Sequence, residues 1–67
     1  MRYVTLNYVD LGGNPKSEIT GFYDLPRKGE GVDLGNATYK IVDITWRVVS
    51  GHTGDCLMPE LTLVASR

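Results

Sequence analysis

GVDLGNATYKIVDITWRVVSGHTGDCLMPELTLVAS, residues 31 to 66, reads as a short strand, a tight turn, a long strand, a second turn and a final strand. Tyr39 to Val49 is the centre of it, rich in β-branched and aromatic residues and holding the chain's one tryptophan, Trp46. Such side chains favour the extended chain because they pack well on a pleated surface. Val42, Ile44, Trp46 and Val48 alternate along the run, yet Tyr39 and Ile41 fall on the opposite parity. Either the strand carries a bulge near Ile41 to Asp43, or its second face meets another apolar layer. The bulge is the preferred reading, because a small antiparallel barrel needs a bent strand at its corner.

The last hairpin can be registered by arithmetic. With Gly51-His52-Thr53-Gly54 as the loop and Ser50 opposite Asp55, Val48 meets Leu57, Trp46 meets Pro59, Ile44 meets Leu61 and Val42 meets Leu63. Four apolar pairs share one face, and a slip of one residue would set Trp46 against Glu60 instead. Trp46 is therefore expected to anchor the core. The other face holds Thr45, Arg47, Val49, Cys56, Met58, Glu60 and Thr62, with Val64 continuing it. Pro59 has no N–H to give a ladder, so an edge or an irregularity is expected there.

Outward from this stretch, the chain stays β-like. Arg2 to Val9 alternates, with Val4, Leu6 and Tyr8 on one face. Asp10 to Ser17, DLGGNPKS, is a turn, and Glu18 to Asp24 is read as a second strand with Gly21 at a bulge or close approach. Leu25 to Gly31 interrupts the pattern at Pro26, and Gly35-Asn36 turns the chain between Leu34 and the long strand. No segment shows apolar residues at helical spacing. The fold expected is all-β: a five-stranded antiparallel meander, forming a small SH3-like or OB-like barrel, in one domain over residues 1 to 67.

A pattern runs through it: Leu25-Pro26-Arg27-x-Gly29-Glu30-x-Val32, then Tyr39-x-Ile41, Ile44-x-Trp46 and Leu61-x-Leu63. It resembles short bacterial and phage open reading frames in which a proline-glycine turn introduces a small antiparallel barrel. The resemblance covers about residues 23 to 64 and rests on fold-making positions. It implies the barrel and a mobile-element origin, and it carries over no functional residue.

Composition narrows the chemistry. At 67 residues the chain buries about 60% of the surface its unfolded form exposes, so small domains often need a staple. A single cysteine, Cys56, excludes an internal disulfide, and a single histidine, His52, argues against a closed metal site; association between copies remains. Seven Lys and Arg against eight Asp and Glu leave a net charge of −1, with no basic face for nucleic acid. No apolar run reaches the ~20 residues of a membrane span, and MRYVTLNYVD is strand-like rather than a leader, so a cytoplasmic protein is expected.

Each candidate for chemistry has a plainer reading. His52 and Cys56 with Asp55 between them could pair a thiol with an imidazole, but a histidine beside glycine in a tight loop is ordinarily just solvated. Arg27-Lys28 could hold an anion, yet the phosphate-loop pattern is absent and Glu30 balances the turn. The carboxylates are scattered, and a barrel this small has little cleft of its own, so neither catalysis nor a cofactor or metal is expected. The aromatics could stack nucleic-acid bases, the alternative function of an OB- or SH3-like module, but half of them lie on the core parity. The expected function is protein binding, to itself or to another protein, through a homodimer. Its expected surface is Arg47, Val49, Cys56, Met58 and Val64, an apolar centre with a polar rim. The alternative cover for that face is the N-terminal strand or its loop with Leu11.

Overall fold

Five strands account for most of the chain in the computed structural model, which describes residues 2–51 and 54–66. They are β1 (Arg2–Val9), β2 (Pro15–Phe22), β3 (Gly31–Asp33), β4 (Thr38–Gly51) and β5 (Gly54–Ala65). No helix occurs among the described residues, and so none long and apolar enough to cross a membrane. The strands form one curled sheet, a half-barrel, in the order β2-β1-β5-β4-β3.

That order corrects the expected meander. β1–β2, β3–β4 and β4–β5 are antiparallel, but β1 pairs with β5 in parallel, Thr5 with Glu60, Leu6 with Leu61 and Asn7 with Thr62. The sheet is mixed because residues 23 to 30 carry the chain from β2 at one edge to β3 at the other. β5 then returns to lie beside β1. Pairing along the sequence would have left the apolar face of β1 without Leu61 and Leu63.

The bulge falls where the parity changes. Ile41 lies opposite Leu63 and Asp43 opposite Thr62, so Val42 is the extra residue. Beyond it the register is as expected, Ile44 to Leu61, Trp46 to Pro59, Val48 to Leu57 and Ser50 to Asp55. Val42 does not meet Leu63, because the bulge passes that partner to Ile41. In consequence Tyr39 and Ile41 turn to the same face as Ile44, and both are fully buried. The core is Val4, Leu6, Tyr39, Ile41, Leu61 and Leu63, with Tyr8, Val32, Leu34 and Ile44 packed against it.

The turns explain where strands stop. β2 spans Pro15–Phe22 instead of starting at Glu18, because Asp10 closes the preceding loop early. Its Oδ1 accepts from Gly12 N and Asn14 N, both at 2.9 Å, and Asp10 N donates to Asn14 O. Gly35 turns the chain between β3 and β4 at φ +91°, a left-handed value that glycine adopts without steric cost. The Pro26 loop is tied to β4 by Gly29 N to Ile41 O and Ile41 N to Glu30 O.

Leu61→Ala is expected to destabilise the protein by about 2–5 kcal/mol in urea unfolding, since it leaves a cavity at the meeting of β1, β4 and β5. Tyr39→Phe has the opposite expectation. The Tyr39 hydroxyl is buried with no hydrogen-bond partner among the described residues. Removing it is expected to leave stability unchanged or raise it by about 1 kcal/mol. A loss comparable to that of Leu61→Ala would show that the hydroxyl is bonded.

Candidate functional site

β4 and β5 are 14 and 12 residues long, while β1 and β2 have eight each and β3 has three. The long pair therefore outruns its neighbours. β1 pairs with β5 only over Glu60–Thr62, and β3 with β4 only over Thr38–Lys40. From Trp46 to Gly51 and from Gly54 to Pro59 the two strands pair with each other alone, as a projecting arm. The molecule measures 41 × 24 × 19 Å, elongated for its size.

Pro59 marks where the arm leaves the sheet. The β1–β5 ladder begins at the next residue, Glu60, so the missing N–H of the proline stands at the ladder's end. Between the arm and the edge where β1 begins and β2 ends lies a cleft of about 400 Å³, with Arg2, Tyr3 and Phe22 on one side and residues of both arm faces, Trp46 and Leu57 with Val49 and Cys56, on the other.

The arm has two faces. Trp46, Val48, Leu57 and Pro59 continue the face that forms the core, but among the described residues no other strand covers it past Pro59. Trp46 is 52% exposed, Val48 65% and Leu57 62%. The expectation of a buried Trp46 is thus corrected: parity assigns it to the core face, and the core ends before reaching it.

Four of the five expected interface residues meet on the arm's other face. Arg47 is ion-paired with Glu60, and Val49 and Cys56 are exposed opposite one another. Met58 is half-buried, its sulfur accepting a hydrogen bond from Thr5 Oγ1 at 3.7 Å, and Asn7 Nδ2 donates to Glu60 Oε1 at 2.7 Å. Val64 stands apart, opposite Lys40, roughly 20 Å along β5 from Met58. β1 lies beside this face rather than over it, and Leu11 is exposed, so neither covers it. Reading the sequence missed Val48 and Leu57 as surface. The signal was available in the lengths, since no other segment is long enough to flank both long strands.

Among the described residues no catalytic constellation accompanies the arm. Cys56 Sγ lies 3.7 Å from the Val49 carbonyl, and its supposed partner His52 lies outside the described residues. Among the described residues no three His, Cys, Asp or Glu side chains group as metal ligands. Arg27 and Lys28 are exposed on their loop, and Lys16 and Arg47 sit against Asp10 and Glu60. In comparisons with known proteins, no family model, no curated sequence and no solved structure matches this chain.

Asp10 and Tyr8 lie at the other end of β1. The backbone N–H of Asn14, then that of Gly12 and the Lys16 charge, hold the Asp10 carboxyl below its usual range. The hydrogen bond that Tyr8 donates to Glu18 Oε1, at 2.8 Å, pushes the phenol up from 10.0 to about 12. The folded chain then holds that proton more tightly than the unfolded one. This contribution is complete below pH 10 and is lost as the pH rises through 12. Thermal melts across that window are expected to show a fall in the midpoint that Tyr8→Phe lacks. Trp46→Ala is expected to cost the isolated monomer less than about 2 kcal/mol, and an emission maximum near that of free tryptophan is expected in dilute protein.

Proposed function

We propose that this protein is a non-enzymatic binding module that works through protein–protein contact, self-association included, and that the β4–β5 arm is its binding surface. The observation that carries this reading is the exposure of Trp46, Val48 and Leu57 side by side on a ribbon of only two strands. A two-stranded ribbon is marginal in water without a third strand or a covering layer. Contiguous apolar surface of this kind, rimmed by Ser50, Asp55 and Arg2, is how interaction sites are built. Tryptophan is also among the residues that dominate binding energy when a partner desolvates them.

Sedimentation over a range of concentrations tests the proposal. Wild-type protein is expected to associate. Leu57→Lys is expected to remain folded, with an unchanged far-UV spectrum, because its side chain is 62% exposed in the single chain. It is expected to run as a monomer where the wild type does not. A wild type that stays monomeric into the millimolar range contradicts self-association.

A further inference from the structure

From Gly54 to Pro59, among the described residues, β5 is paired only on its β4 side. A strand turns the N–H and C=O groups of alternate residues to each edge, so this stretch presents backbone donors and acceptors that no ladder uses. Continued back from Thr5 and Glu60, the parallel register would set Tyr3 beside Met58 and Arg2 beside Leu57. The ladder stops short of them, and the 400 Å³ cleft opens there, lined by these four residues among others. Both faces of the arm contribute to its wall: Trp46 and Leu57 from the inner face, which continues the core side, and Val49 and Cys56 from the outer. Such a lining belongs to a site on the edge of β5, where the two faces meet, rather than to either face.

Charge says what end of a molecule fits there. Arg2 is the one charged residue in the lining, it is exposed, and no carboxylate among the described residues pairs with it. Glu60, the acidic residue after Pro59, is engaged by Arg47 and Asn7. The rest of the wall is uncharged and mostly apolar. From Thr5 onward β1 itself fills the position beside β5, so a chain lying along Gly54 to Met58 cannot continue in that line past the cleft. It ends at Arg2, and the chain end that carries a negative charge is the C-terminal carboxylate. A guanidinium holds a carboxylate through two parallel hydrogen bonds.

We infer that the arm takes the C-terminal end of a partner protein as an added strand, parallel to β5 and in line with β1. The partner's last side chain, an apolar one, enters the cleft against Trp46 and Leu57, and its carboxylate meets Arg2. Backbone pairing with β5 supplies affinity that is indifferent to sequence, while the cleft and Arg2 select an apolar residue with a free carboxylate. The inference rests on the arm being the binding surface, and adds the edge, the direction and the kind of partner.

Acetylated pentapeptides of alternating threonine and valine, ending in leucine or phenylalanine, test it when made with a free or an amidated C-terminus. The free acids are expected to bind wild-type protein and shift the emission of its single tryptophan, Trp46, to the blue. The amides are expected to bind at least about tenfold more weakly. Arg2→Gln, at an exposed position, is expected to fold as the wild type does and to remove that difference, whereas Arg27→Gln keeps it. Methylating alternate backbone nitrogens of the free acid is expected to abolish binding in one alternation and spare it in the other; equal effects would overturn the added strand. Equal affinity for acid and amide, a preference that survives Arg2→Gln, or no binding into the millimolar range would overturn the inference. Each of these leaves self-association standing, which sedimentation of the wild type and Leu57→Lys decides separately.

Discussion

Three residues of β1, Thr5 to Asn7, hold the molecule together by pairing in parallel with Glu60 to Thr62. Without that ladder the chain is a two-stranded hairpin and a three-stranded sheet, joined by the residues between β2 and β3. The β1–β2 hairpin could not bury its apolar face alone, since a lone hairpin is marginal in water. The ladder sets Leu6 beside Leu61 and so brings Val4 and Leu6 against Tyr39, Ile41, Leu61 and Leu63. All six buried core residues lie within reach of this one join.

Concentrating the core at the join makes stability uneven along the chain. Near Leu61 a side chain is covered by strands on both sides. Four residues earlier, at Leu57, it has one neighbouring strand and solvent. Local opening free energies follow such differences in apolar contact, so the arm belongs to the low-stability end of the fold. Binding elements are drawn from that end because a partner can still supply contacts there. A covering layer on the arm would therefore stabilise the segment that the fold leaves weakest.

Glu60 links the two regions. It is the first residue of the parallel ladder, it pairs with Arg47 of the arm, and it accepts a hydrogen bond from Asn7 of β1. These contacts engage the root of the arm's outer face within the chain. On the inner face, nothing comparable reaches Val48 or Leu57 among the described residues.

The sequence alone determined the local pairings. Alternation located β1, the parity change at Ile41 to Asp43 located the bulge, and three matched apolar pairs, Val48 with Leu57, Trp46 with Pro59 and Ile44 with Leu61, located the β4–β5 register as far as Ile44. These follow from short-range rules: a side-chain period of two, and a turn that tells each strand where its neighbour begins. They also brought Arg47, Val49, Cys56 and Met58 onto one face of the arm. Only the tertiary structure decided that β5 joins β1 in parallel, because that pairing links residues over fifty positions apart with no turn between them to set a register. Only it decided that Val64 lies away from the others, and that Trp46 is exposed. Alternation says which side chains share a face. Whether that face is covered depends on where the neighbouring strands end, and here β1 leaves β5 at Pro59, just before the ladder would have reached Trp46's side of the arm.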